Sequence, residues 1–125
     1  MAWNLDADRP VYTQLVERIQ MQIVSGHYAP GEKLPSVREL AMVAAVNPNT
    51  MQRALSELER TGLVITQRTN GRNVTEDVEL IQNIRNKLAK ELMTDFFGKM
   101  TELGYSQEET LDLIHGTYEQ GKGER

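Results

Sequence analysis

Apolar side chains recur at helical spacing in several stretches of this chain. Val11, Leu15, Ile19 and Ile23 follow one another every four residues, with Val16 beside them, which draws one face of a first helix. Pro10 fits its first position, because the ring presets φ and there is no N–H to leave unpaired. Gly26 ends it, and Ala29-Pro30-Gly31 makes a turn. Val37, Leu40, Ala41 and Ala44 form the inner face of a short second helix, opened by a Ser36–Glu39 capping box. Met51, Ala54, Leu55 and Leu58 point inward from a third, capped by Asn47, begun by Pro48 and closed by Gly62. The period then changes. Leu63 to Gln67 suits a strand, Asn70-Gly71 is a hairpin turn signal, and Arg72 to Thr75 can return as a second strand.

After Glu76-Asp77, which reads as a boundary, Ile81, Ile84, Leu88, Leu92, Phe96, Met100 and Leu103 are spaced by three or four residues. This stripe predicts a helix of about six turns. Gly98 lies within it, and a helical glycine costs up to about 1 kcal/mol relative to alanine, so this is a position where a kink or break can form. Gly104 stops the helix. Ser106 to Glu109 is a second capping box, and Leu111, Ile114 and Tyr118 are expected to face inward on a last helix. Helix, helix, tight turn, helix, hairpin is the order of a winged helix-turn-helix. The fold expected is mostly α with a small β-hairpin wing: residues 1–75 as one domain, and 76–125 as a two-helix tail.

The composition fits that size. The chain has 125 residues, 39% apolar and 26% charged, enough for one modest core with an appendage and too apolar for disorder. No cysteine is present, which excludes disulfides, thiolate chemistry and cysteine-based zinc sites. The N-terminus has acids where a signal peptide needs basic and apolar regions, and no apolar run approaches the ~20 residues that span a bilayer. A cytoplasmic protein that does not enter the membrane is expected. The net charge of −4 argues at first against nucleic acid. It is unevenly divided, though: residues 1–75 carry +1 and residues 76–125 carry −5. Phosphate contacts depend on charges within a Debye length of ~8–10 Å, so local placement decides.

The third helix carries the most specific signal. With its apolar face inward, Asn49, Thr50, Gln52 and Arg53 remain on the other faces, and no acid occurs before Glu57. Helix starts favour Asp or Glu because the positive end of the dipole attracts negative charge. This chain has 18 acidic residues and places none there. The reading is that the negative charge comes from outside, as phosphate, with N–H groups of the first turn left to meet it. Asn and Gln can bridge adenine, Arg can bridge guanine, and Thr can reach a phosphate or a thymine methyl. The plain alternative is an ordinary solvated helix face.

Three segments resemble one family together. Pro10-Val11-Tyr12-x-Gln14-Leu15, Pro30-Gly31-x-x-Leu34-Pro35-Ser36-x-Arg38-x-Leu40-Ala41, and Val46-Asn47-Pro48-x-Thr50-x-x-Arg53-Ala54-Leu55-x-x-Leu58-Glu59-x-x-Gly62-Leu63-Val64 closely resemble, in this order and spacing, the DNA-binding domain of GntR-type bacterial transcription regulators. The resemblance covers about residues 10 to 75. The short tail is similar to that of the YtrA-like branch, in which it serves dimerisation and which often represses operons encoding ABC transporters. The resemblance implies a repressor that binds a palindromic double-stranded DNA operator as a homodimer. The recognition helix, about Asn47–Thr61, would lie in the major groove, and the wing, about Arg68–Arg72, near the minor groove. It implies DNA contacts from Ser36, Arg38, Asn49, Thr50, Gln52, Arg53, Arg68, Thr69, Gly71 and Arg72, with Arg38 on the backbone. It implies dimer contacts from Ile81, Ile84, Leu88, Leu92, Phe96, Met100 and Leu103. The wing departs from the family pattern, with Thr69 in place of a first glycine and Asn73 in place of an aromatic residue.

Other candidates are weaker. Asp112, His115 and Glu119 share a helical face, but three ligands on one helix is an uncommon metal geometry, and the face reads as solvated. His27 falls in a turn with no partner acid and nucleophile, so no catalytic set, cofactor or metal site is expected. Met21, Met42, Met51, Met93 and Met100 read as core filler. The competing class is a protein-interaction adaptor on the same fold. An unknown small-molecule effector would find little room within two short tail helices for the ~300 Å³ a typical ligand needs. It would sit at the dimer interface or between tail and head, with Gly98 and Glu76-Asp77 as hinges.

Overall fold

The computed structural model describes residues 2–69 and 71–123, with side chains as far as Thr117. Two compact units are present, Met1–Arg85 and Asn86–Arg125. The elements are α1 (Val11–Val24), α2 (Val37–Ala44), α3 (Pro48–Thr61), β1 (Val64–Gln67), β2 (Gly71–Val74), α4 (Val78–Glu102) and α5 (Gln107–Gly123). This is a mostly helical chain with a two-stranded wing. Pro10 stands at the N-cap of α1, one residue before the expected position.

The head has one core. Leu15, Ile19 and Ile23 of α1 meet Leu40, Ala41 and Ala44 of α2 and Met51, Ala54, Leu55 and Leu58 of α3, closed by Leu34, Leu63, Val64 and Val74. Val11 departs from the expected stripe and is 40% exposed. Met51 is the methionine of this core, whereas Met21, Met42 and Met93 are exposed and fill nothing in the single chain. The loop before α1 is fixed by Gln14, which is itself buried. Its Nε2 donates to the carbonyls of Asp6 (2.9 Å) and Arg9 (3.1 Å), and its Oε1 accepts from the Asp6 N–H.

The turn between α2 and α3 has no glycine. Ala45 takes the left-handed conformation, at φ 59, and its N–H and that of Val46 close on the Met42 and Ala41 carbonyls. Gly62 ends α3 at φ 88, and a Cβ there would come within 3.2 Å of Leu80. The backbone angle therefore calls for glycine, and an added Cβ would also press on the end of the Leu80 side chain. The wing strands pair antiparallel, Val64 with Val74 and Gln67 with Gly71. Gly71 lies at φ 73, while Asn70, its expected turn partner, is outside the described residues. The outer edge of β2 is covered by the segment before α2: the Leu34 N–H donates to the Arg72 carbonyl and the Val74 N–H to the Glu32 carbonyl. Pairing hides an edge that would otherwise invite association.

α4, which begins in the first unit and continues into the second, runs uninterrupted through Gly98, so the helix does not break there. None of its 25 residues is buried. Ile81 and Ile84, in its first two turns, pack partly against the head core. Leu92 (66% exposed), Phe96 and Leu103 are exposed, and Leu88 and Met100 are half-buried. The Ser106–Glu109 capping box forms, and buried Thr110 donates to the Ser106 carbonyl. Leu111 and Ile114 were expected to face inward but are exposed in the single chain, because two helices side by side cannot enclose two full apolar faces. The side chains of Tyr118 and Glu119 are outside the described residues. The tail also has more room than expected: an open groove of about 560 Å³ is lined by Lys90, Met93, Thr94, Phe97, Gly98, Thr101 and Gln107.

Candidate nucleic-acid interface

The outer face of α3 is built by its inner one. Burial of Met51, Ala54, Leu55 and Leu58 leaves Asn49, Gln52 and Arg53 exposed and Thr50 half-exposed. The first turn holds no acid, and the uncompensated dipole end remains. Its donors are more engaged than the sequence suggested. The Asn49 N–H donates to the Asn47 side chain (2.7 Å), and those of Thr50 and Met51 to the Asn47 carbonyl (3.0 and 3.1 Å). Pro48 has none. An incoming phosphate therefore meets the dipole field and the side chains, not free first-turn amides.

Arg53 lies with its guanidinium carbon 3.7 Å from the centroid of the Tyr12 ring on α1. At the start of α2, the Ser36 N–H donates to Glu39 Oε1 and the Glu39 N–H to Ser36 Oγ, both at 3.1 Å. These bonds, from the backbone and then the side chain of Ser36, with attraction from Lys33, hold the Glu39 carboxyl below the usual glutamate range. Arg38, in the first turn of α2, is exposed.

A groove of about 410 Å³ separates this corner from the wing, lined by Lys33, Pro35, Ser36, Glu39, Thr69 and Arg72 among others. Arg68, Thr69 and Gly71 are exposed at the wing. Arg72 is not free there. Its Nε donates to Glu59 Oε1 on α3, and its side chain is only 19% exposed. It ties the wing to α3. The sequence offered a faint signal for this, a glutamate six residues beyond Arg53 on the same helix.

One of the departures at the wing also finds a place. Asn73 donates through Nδ2 to the Gly31 carbonyl (3.2 Å), fastening the wing to the turn before α2. The arginines of the head differ in their partners. Arg9, Arg60 and Arg72 are paired with Glu17, Glu57 and Glu59. Among the described residues, no carboxylate lies within ion-pair distance of Arg38, Arg53 or Arg68.

A three-helix head with a hairpin wing, its third helix presenting a polar, acid-free face, defines a winged helix-turn-helix DNA-binding protein. The sequence pattern of the bacterial regulatory proteins of the gntR family matches residues 11–74. The chain is 41% identical over 111 residues to the HTH-type transcriptional regulator YhcF of Bacillus subtilis (strain 168), covering 89% of this chain and 92% of that one. It is 41% identical over 70 residues to the HTH-type transcriptional repressor YtrA of the same strain, covering 56% and 54% of the two chains. A GntR family transcriptional regulator from Listeria monocytogenes superposes with a TM-score of 0.84 at 41% identity, over 90% of this chain and 98% of that one. The AraR DNA-binding domain, solved in complex with an operator, matches with a TM-score of 0.55 at 25% identity, over 60% of this chain and 95% of that one. The chain belongs to the GntR family and is a DNA-binding transcription regulator. These relatives are regulators, not enzymes.

Among the described residues, no helix is long and apolar enough to cross a membrane.

Proposed function

We propose that this regulator is a repressor that binds a pseudo-palindromic operator as a homodimer, one half-site per subunit. The observation that carries the reading is the charge division in the head. Carboxylates pair with Arg9, Arg60 and Arg72, whereas Arg38, Arg53 and Arg68, near the acid-free helix start and the wing, have none among the described residues; of the other two basic side chains in residues 1–75, Lys33 lines the groove beside Ser36 and Arg18 lies over the Trp3 ring. In this reading α3 enters the major groove, with Asn49, Gln52 and Arg53 on base edges and Thr50 on a phosphate or a thymine methyl. Ser36 and Arg38 hold the backbone, and Arg68, Thr69 and Gly71 reach towards the minor groove.

The tail supports dimerisation. A helix of 25 residues with no buried side chain, carrying Leu92, Phe96 and Leu103 exposed, has an apolar face that a second copy would cover. The dimer residues in this reading are Leu88, Leu92, Phe96, Met100 and Leu103, with Ile81 and Ile84 serving the head. Repression follows the YtrA likeness, as does control of a transporter operon. A protein acting on the chromosome works in the cytoplasm. An effector would act by changing the separation of the two heads, since the operator fixes it.

The test is selection of a binding site from random duplexes, followed by titration across salt. Arg53→Ala or Gln52→Ala, each removing a side chain that reads a base, relaxes preference at one position by about 1–3 kcal/mol. Arg38→Ala weakens all sequences alike. The opposite assignment of effects overturns the roles. Absence of any selected sequence and of salt dependence favours the adaptor reading.

A further inference from the structure

We infer that Tyr12, which lies on α1 outside the helix-turn-helix, is a positioning residue for sequence readout: its ring holds the Arg53 guanidinium on the recognition helix in the orientation that meets a base. This rests on the proposal that Arg53 reads a base.

Arg53 is exposed and, among the described residues, has no carboxylate partner, yet its guanidinium carbon sits 3.7 Å from the Tyr12 ring centroid. That is the distance of a stacked plane, well inside the ~6 Å reach of a cation–π contact. Stacking uses the face of the guanidinium and leaves its edge, which carries the N–H donors, unobstructed. Recognition of guanine needs two of those donors in line with O6 and N7. An unrestrained arginine gives up its rotamer freedom when it binds, whereas one already stacked has given up part of it beforehand.

Tyr12 itself is well fixed. It is half-buried, and its near neighbours Gln14 and Leu15 are buried, with Leu15 in the core that α1 shares with α3. The ring therefore belongs to the rigid part of the head and passes that rigidity to a long side chain that would otherwise sweep freely. A carboxylate in the same place would fix Arg53 equally well but would occupy its donors and repel phosphate. An aromatic face does neither.

The test uses the full chain and a duplex selected from random sequence, with single-base variants of that duplex. Tyr12→Phe keeps the ring and removes the hydroxyl, and should bind as the unaltered protein does. Tyr12→Leu removes the ring and should weaken affinity for the selected duplex about two- to fivefold, the worth of an exposed cation–π contact. The weakening should fall at the base position that Arg53→Ala relaxes and be absent in an Arg53→Ala background. The Arg53 Hδ protons should be shifted upfield by the ring current in the unaltered protein and in Tyr12→Phe, a readout that does not depend on Tyr12→Leu folding. Four results overturn the inference: unshifted Hδ protons, equal weakening in Tyr12→Phe and Tyr12→Leu, a weakening uniform across all base variants, or one additive with Arg53→Ala. If Arg53→Ala leaves every base preference intact, the underlying assignment of Arg53 fails and the inference falls with it. If Arg53→Ala relaxes one position while Tyr12→Leu does not, only the inference fails.

Discussion

Replacing Arg72 with alanine separates two roles for the same guanidinium, a groove probe or a strut between wing and recognition helix. Arg72 and Glu59 keep 19% and 30% of their side-chain exposure. They fall between exposed pairs, worth about 0–1 kcal/mol, and buried pairs, whose one-sided removal costs about 3–5 kcal/mol. Their partial burial places the destabilisation at about 1–2 kcal/mol. For a head of this size that lowers Tm by roughly 5–15 °C. DNA binding should respond little. A freely contacting cation contributes about 0.9 to the salt slope, or about 3.5-fold in affinity between roughly 50 and 200 mM salt. Arg38→Ala should weaken binding by that amount, whereas Arg72→Ala should leave the slope unchanged. Glu59→Gln releases Arg72 and should steepen the slope by up to about 0.9 while also lowering Tm. Thermal unfolding by circular dichroism and anisotropy titrations over a salt series measure both quantities on the same samples. An Arg72→Ala variant with unchanged Tm and a slope reduced by about 0.9 refutes the strut, because the pair must then open when DNA arrives.

Other expectations concern the core, the α2–α3 turn, the tail and the helix caps. Leu58→Ala, at a fully buried position of α3, should cost about 2–5 kcal/mol by denaturant titration. Ala45→Gly should stabilise the head by roughly 0.5–1 kcal/mol, since relief of left-handed alanine exceeds the added chain entropy; a destabilised variant contradicts the φ of 59. Leu88→Asp combined with Leu92→Asp should give monomers in sedimentation, and a dimer unchanged by both places the interface elsewhere. Glu39 and Glu109 are both held below the usual glutamate range by backbone and then side-chain bonds to Ser36 and Ser106. Their folded carboxyls are depressed, so their stabilisation is present above the unfolded glutamate range and disappears as pH falls through the folded values. The starts of α2 and α5 should therefore fray on acidification, read by amide exchange, and a Ser36→Ala variant should show less of this change in α2.

Most of the head was legible in the sequence because its signals are local. The capping boxes at Ser36 and Ser106, Asn47-Pro48 at α3 and Gly62 at its end each act within one helical turn, and each formed as its spacing requires. The inward positions of α2 and α3 followed from period alone, since Leu40, Met51, Leu55 and Leu58 have nowhere else to turn. What needed the tertiary structure was decided by partners distant in sequence. Val11 matches a helical stripe and Met42 is an apolar side chain suited to fill a core, yet both are exposed, because no element covers them. Ile81 and Ile84 belong to the apolar stripe of α4 but pack on the head, while Leu92 on the same stripe remains exposed. The left-handed Ala45 left no trace in composition, because the closing N–H bonds of α2 outweigh the strain of one alanine. The two arginines read alike as DNA probes were separated only by their surroundings: Arg72 meets a glutamate 13 positions away, and Arg53 meets the face of a tyrosine on another helix. Periodicity says which way a side chain points; a contact across the fold says what it is free to do.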